Sequence, residues 1–337
     1  SMGKARENAQ RTDWKGYTPP KPEMLGVKIL KNYDLAEIAQ YIDWGPFFQT
    51  WELSGPYPAI LQDAIVGEAA RNVLAEGQAM LKKIIEGRWL TANAAFGLFP
   101  AARVSAEDVE IYADDTRRKV LMTWHNLRQQ SEKPTGNPNL SLGDFIAPKE
   151  SGVPDYIGAF AVTAGLGIEK RLEIFEKQND DYASIMLKAL ADRLAEAFTE
   201  LLHARVRREF WGYAKDEGLS NEEMIAEKYR GIRPAPGYPA CPDHTEKAAL
   251  FDLLGAQRAG IELTESFAMF PASSVSGFYL SHPESRYFAV GKIDRDQVAD
   301  YTRRKAMPQR EIERWLSPQL AYEPEPEPEP AEAAAAA

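Results

Sequence analysis

Residues 156–162 read YIGAFAV, and the chain then passes Gly165 and Gly167 into IEKRLEIFEK (168–177) and DDYASIMLKALADRLAEAFTELLHARVRREFW (180–211). The first piece is a continuous apolar run, which reads as a buried strand. The two glycines mark a turn. The second piece is a helix from Ile168 to about Lys177. The third is a longer helix from about Asp180 to Trp211. Its apolar residues fall at Tyr182, Ile185, Met186, Ala189, Leu190, Leu194, Ala197, Phe198, Leu201 and Val206, a period close to 3.6. A buried strand feeding a long amphipathic helix calls for a sheet with helices against it.

Downstream, Ser220 and Glu223 form an S-x-x-E capping box that starts another helix. Residues 231–243 are dense in proline and glycine and read as a loop. Thr245 to Gly255 is a helix with Thr245 at its N-cap. Phe278–Leu280 and Tyr287–Ile293 read as strands joined through SHPES, and Arg295–Arg304 and Gln309–Trp315 as closing helices. Upstream, Val109–Tyr112 and Val120–Trp124 flank DDTRRK as a hairpin. Ala94–Phe99 is an apolar strand ended by Pro100. Pro58–Ile85 carries helical spacing over one or two helices. The aromatic stretch IDWGPFFQTW (42–51), broken by Gly45-Pro46, reads as strand or partly loop, and Asp34 caps a short helix through Tyr41. Strands and helices alternate irregularly, so the expected class is α+β, with a central, mostly antiparallel sheet and helices around it. Residues 1–23 read as a proline-bearing lead-in or linker, 24–322 as one domain, and 323–337 as a low-complexity acidic and alanine tail.

Composition bounds the function. Among 337 residues, 44% are hydrophobic, enough for a sizeable core, and the formal net charge of -10 argues against binding a nucleic-acid backbone. The apolar runs are too short to span a bilayer. A single cysteine, Cys241, rules out an intrachain disulfide and a cysteine-rich zinc site, and suits the cytoplasm. Ser1-Met2-Gly3 reads as a cleavage scar on a fragment of something longer.

The densest chemical signal is GIRPAPGYPACPDHTEK (231–247), with four prolines and two glycines in its first thirteen residues. Such a backbone is largely fixed. A rigid loop carrying Arg233 suits a carboxylate, since the guanidinium fork bonds both oxygens at once. Gly237 allows close approach to the backbone, and Tyr238 adds an aromatic ring with a polar tip. The same composition equally fits a structural loop. Cys241 and His244 in CPDH form at most half a metal site and read as structural. His125, His203 and His282 are scattered and read as surface or satisfied core histidines. Gly165-Leu166-Gly167 lacks the third glycine of a dinucleotide fingerprint and reads as a turn.

This loop resembles, almost letter for letter, the loop of the activation domain of cobalamin-dependent methionine synthase. The resemblance continues through DWKGYTPP (13–20), YIDWGPFF (41–48), GLFPA (97–101), FIAPK (145–149), DYIGAFAVT (155–163), KALADRLAEAF (188–198), SNEE (220–223), LTESFAM (263–269), VSGFYLSHPES (275–285) and RDQVADY (295–301). It implies a single curved domain and a module of a methyltransferase that binds S-adenosylmethionine (AdoMet). The module presents the methyl to cobalamin and, with an electron from flavodoxin or a similar donor, restores methylcobalamin. Cobalamin itself belongs to a separate domain of the same protein, so this chain alone is expected to bind without turning over, as a monomer.

The resemblance also implies a ligand set. Arg233 takes the methionyl carboxylate, backbone groups of Ala235 and Gly237 contact the ligand, and Tyr238 faces the corrin. Asp43, Glu196 and the pair Tyr287 and Phe288 complete it; Phe288 lacks the hydroxyl of the tyrosine common in the family. No protein base, nucleophile or metal ligand is implied. Read without the resemblance, Asp43 is a helix or turn cap, Glu196 a solvated carboxylate on a helix, and Tyr287 and Phe288 core or face residues. The alternative function is a cap that docks on a cobalamin domain and flavodoxin without strong ligand binding of its own.

Overall fold

In the computed structural model, which describes residues 1–325, the elements follow in this order. Helix α1 (Met2–Glu7) precedes strand β1 (Gly26–Leu30), then α2 (Leu35–Ala39), α3 (Gly45–Gln49) and α4 (Gly67–Gly87). Strands β2 (Thr91–Arg103), β3 (Val109–Tyr112), β4 (Val120–Trp124) and β5 (Asp155–Leu166) come next, then α5 (Ile168–Lys177), α6 (Asp181–Arg205), α7 (Asn221–Ile225) and α8 (Glu246–Leu254). The chain closes with β6 (Glu262–Leu263), β7 (Met269–Phe270), β8 (Ser274–Tyr279), α9 (Arg295–Lys305) and α10 (Gln309–Trp315).

The main sheet runs β4-β3-β2-β5-β8, with β1 also on β2, and every pairing in it is antiparallel. The expected α+β class, an open antiparallel sheet with surrounding helices, is what forms. β2 and β5 are mostly apolar because both faces are covered. Alternate residues separate cleanly: Phe96, Leu98, Phe160 and Val162 join the core under α4 and α6, whereas Ala95, Phe99, Ile157 and Ala159 join the core under α8.

Several local expectations are corrected. Pro100 does not end its strand. It lies where β1 has stopped, at Leu98, and β3 has not begun, at Ala101, so that flank offers no partner for the N–H it lacks. β5 likewise runs on through Gly165, and the turn is made by Gly167 alone at φ +88°. The segment 42–51 is neither strand nor loop but carries α3. Trp44, Phe47, Phe48 and Trp51 fall at helical spacing, and Pro46 sits in the first turn, where its missing N–H costs nothing. Tyr287–Ile293 forms no strand. The flank of β8 that it would pair is taken by the proline loop, through Ile232–Leu280 and Phe278 N–H to Pro234 O at 2.8 Å. Thr245 begins α8 without a side-chain cap; Asp243 Oδ1 accepts its backbone N–H at 2.9 Å instead.

The lead-in is docked on the body. Met2 and Trp14 are buried, and Arg6 pairs with Glu107 and Asp300 at 2.7 Å each. The long helix becomes a π-helix at Val206–Phe210 and ends near Trp211. Most of the acidic and alanine tail lies outside the described residues. Among the described residues no helix is long and apolar enough to cross a membrane.

Candidate ligand cleft

Helix α6 turns most of its surface into the core, but Glu196, Thr199, Glu200 and His203 share one stripe, spaced at i, i+3, i+4 and i+7. The proline loop lies against that stripe. Between them is a cleft of about 500 Å³, lined by Glu196, Thr199, Arg233, Ala235, Tyr238, Tyr287 and Phe288 among others. Phe160 forms part of its floor and Glu227 part of its rim. A smaller cleft of about 260 Å³ holds Asp43 and shares Glu196, Glu227 and Arg233 with the first.

Arg233 is the organising cation. Its Nη1 and Nη2 donate to Glu200 Oε1 and Oε2 at 3.3 and 2.8 Å, an end-on grip. Nη1 also donates to the Tyr229 hydroxyl at 2.7 Å and lies 3.1 Å from His203 Nδ1. An arginine never accepts, so His203 Nδ1 is the acceptor and its proton sits on Nε2. Burial, then Arg207 and Arg233, hold the His203 pKa well below its ordinary value, which keeps the ring neutral. Burial works against the Arg233 charge too, but Glu200, Tyr229 and Tyr287 outweigh it and raise its pKa. The Nε atom has no hydrogen-bond partner among the described residues. Nε with the second proton of Nη2 forms the side-on fork, which remains available for a carboxylate.

Glu196 is the counterweight. Burial raises its pKa, Arg193 and Arg233 oppose that, and Asp192 and Glu200 add to it. Tyr287 receives the Arg233 backbone N–H on its hydroxyl at 2.9 Å, so it fixes the loop as well as lining the cleft. Phe288 packs at the edge of the core. Tyr238 is 58% exposed at the mouth. Ala235 accepts the Tyr238 N–H at 3.1 Å and closes the turn between them. Asp43 does act as a turn cap: its Oδ1 accepts the Gly45 N–H at 2.9 Å, in the segment that leads into α3.

Gly237 departs from the expected set. It has φ +95°, and a Cβ there would collide with the His244 ring, so the close approach its missing side chain permits is His244's. It borders a neighbouring cleft of about 650 Å³, beyond Tyr238 and Pro239. The structure therefore gathers Glu196, Arg233, Ala235, Tyr238, Tyr287 and Phe288 in one cleft, adds Asp43 through the smaller one, and leaves Gly237 behind the loop. Sequence reasoning missed Glu200, Glu227, Tyr229 and His203. The helical period from Glu196 was the one signal that pointed to Glu200 and His203. Among the described residues no group of three or more His, Cys, Asp or Glu is placed to hold a metal ion.

A cleft with a guanidinium, several carboxylates and aromatic walls suits a zwitterion with an aromatic part. The model of the vitamin B12 dependent methionine synthase activation domain matches residues 34–306. The chain belongs to that family. A crystal structure of the MetH reactivation domain bound to AdoHcy superposes on it with a TM-score of 0.93 and 54% identity, over 96% of this chain and 99% of that one. In this activation domain, then, the cleft between α6 and the proline loop is the place to look for a ligand.

Proposed function

We propose that the cleft binds AdoMet and that the domain presents its methyl group to a cobalamin held outside this chain, in the reactivation of methionine synthase. The observation that carries this reading is Arg233, gripped end-on by Glu200 with its Nε unpaired among the described residues, lining one cleft with Glu196 and Glu227. AdoMet has a carboxylate for the first and two cations, ammonium and sulfonium, for the second. The 54% identical relative that holds AdoHcy supports it, AdoHcy being AdoMet less its methyl.

Each residue then has a task. Glu200 holds the guanidinium end-on so that its side edge faces the ligand carboxylate. Glu196, Glu227 and Asp43 offset the ligand's positive charge. Tyr287, Phe288 and Phe160 give aromatic surface to the adenine and sulfonium. Tyr238, half out of the cleft, faces the corrin. The cobalamin supplies the cobalt that accepts the methyl when it is docked, with one electron from a flavodoxin-type donor. The domain contributes position: it holds sulfur and methyl on a fixed line at the cleft mouth, and transfer needs no protein base.

Calorimetric titration of the chain with AdoMet, at two temperatures, tests the reading. Saturable binding is the expected result. No heat at either temperature, with binding restored only by an added cobalamin module, would replace it with the docking-cap reading.

A further inference from the structure

Behind the proline loop, His244 fills the space that Gly237 leaves. Its Nδ1 is 3.0 Å from Lys247 Nζ, and Nζ also donates to Phe267 O at 2.9 Å. An ammonium only donates, so Nδ1 accepts and the imidazole is neutral with its proton on Nε2. Lys247 is buried, and no carboxylate pairs with it among the described residues.

The charged groups around His244 do not welcome a second positive charge. Lys247 belongs to its own stretch. Lys292 and Arg314 line the same cleft from two other parts of the chain, and the Trp315 ring stands 6.4 Å away. Two anions are close in sequence: Asp243 is committed to Lys305, Thr245 and Tyr301, and Glu246 to Lys305 and the His125 N–H. Burial first and then Lys247 lower the His244 pKa, with Asp243 opposing. A protonated His244 would set a cation against the Lys247 ammonium with no spare counter-charge. The ring would leave, and the loop would lose its backing. The tip of that loop is otherwise held by Gly237 N–H to Cys241 O at 2.7 Å, Cys241 N–H to Tyr238 O at 2.9 Å, Tyr238 N–H to Ala235 O at 3.1 Å and Val290 N–H to Pro239 O at 2.8 Å, while Tyr287 and the Phe278 N–H hold its start at Arg233 and Pro234.

We propose that His244 is a positioning residue for the ligand cleft: the neutral ring, tied to Lys247 and wedged behind Gly237, holds the 233–241 loop in the shape that presents Arg233, Ala235 and Tyr238. This rests on the AdoMet reading of the cleft. The sign follows from linkage. The binding-competent loop favours neutral His244, so affinity is complete above the ordinary histidine range and is lost as pH falls through it.

Two arms test it on the full chain. The first needs no ligand: in protein with selectively labelled glycine and histidine, the Gly237 amide resonance is followed by NMR against the His244 ring from about pH 8 to about pH 5. The two should titrate together. Lys247→Met should raise the ring's midpoint, and His244→Phe should abolish the Gly237 titration. The second arm measures AdoHcy affinity by calorimetry at about pH 7.5 and about pH 5.5. The wild type should weaken about tenfold, the effect of one unit of linked pKa change. His244→Phe, which keeps a ring but never charges, should remove most of that drop; what remains is the share of Glu196. A Gly237 amide that ignores His244, or a His244→Phe protein that loses affinity as steeply as the wild type, would overturn the proposal. AdoHcy failing to bind at either pH would instead refute the AdoMet reading, and the first arm would still decide the role of His244.

Discussion

Arg233 illustrates what a residue's neighbours add to its chemistry. Alone, a guanidinium in a proline loop is simply a carboxylate binder in waiting. In the fold, Glu200 takes its end-on face and Tyr229 and His203 crowd Nη1, so one edge is left and its direction is fixed. Arg233 was legible in the sequence because its loop is unusual. Glu200 and His203 were not, because a carboxylate or histidine on an amphipathic helix looks the same whether it meets solvent or a buried arginine. Glu196 carries a prediction at this scale. Its charge should favour AdoMet, which bears the extra sulfonium, over AdoHcy. Glu196→Gln should therefore weaken AdoMet about three- to tenfold and AdoHcy less, the scale of one partly screened charge pair. Equal losses for the two ligands, in parallel titrations, would remove Glu196 from the role of charge partner.

At the scale of elements, local pattern succeeded where one force ruled and failed where two competed. α6 was readable because its apolar stripe is long and regular. β2 and β5 were readable because burial on both faces leaves an unbroken apolar run. α3 was misread because Pro46 looked like a break, when a proline in a first turn is compatible with a helix. The 287–293 segment was misread because its residues suit a strand, but the proline loop had already claimed the free flank of β8. Such competition for an edge is a tertiary fact that no window of sequence contains. The stripe on α6 gives a second prediction. Leu194 is fully buried in the core that α6 shares with α4, β2 and β5, and two residues from Glu196 it lies on the opposite side of the helix. Leu194→Ala should cost about 2–5 kcal/mol in urea unfolding. AdoHcy affinity should stay nearly unchanged at temperatures where the variant remains folded; a large loss of affinity would show that the cleft depends on the core's exact packing.

For the whole molecule, buried ion pairs fasten distant parts of the chain. Arg128, almost wholly buried, pairs with Glu107 at 2.9 Å and Asp144 at 2.7 Å, while Glu107 and Asp300 also receive Arg6 from the docked lead-in. Arg128→Met would strand the buried Asp144 and leave Glu107 with Arg6 alone, and should cost about 3–5 kcal/mol, read from the urea midpoint. The pH dependence of stability has two signs. Burial raises Asp243 and Asp300, but Lys305 and Tyr301 on the first, and Arg304 and Arg6 on the second, more than reverse it, so both end below the ordinary carboxylate range. Their contribution is present above about pH 4 and lost as pH falls through their folded values. Asp155 has the opposite sign. Burial pushes it up to about 7, against the Ala147 and Tyr156 N–H groups and Arg117 that favour its charge. Its contribution is present below its unfolded value and lost as pH rises towards 7. The urea midpoint should therefore fall steeply in acid; towards pH 7 Asp155 lowers it while the neutral His203 and His244 raise it, so the share of Asp155 is read as the wild-type midpoint minus that of Asp155→Asn, which should fall as pH rises towards 7. A difference between wild type and Asp155→Asn that stays constant from pH 5 to pH 8 would contradict the assignment of Asp155.

The proposed function stands or falls with Arg233 as the residue that holds the ligand's carboxylate. It is tested by titrating wild type and Arg233→Ala with two ligands, AdoHcy and methylthioadenosine, which keeps the nucleoside and sulfur but has no amino-acid group. The substitution should weaken AdoHcy at least tenfold, the loss of a charged hydrogen bond worth about 1.5–3 kcal/mol, and leave methylthioadenosine nearly unchanged. Equal weakening of both ligands, or of neither, would contradict it.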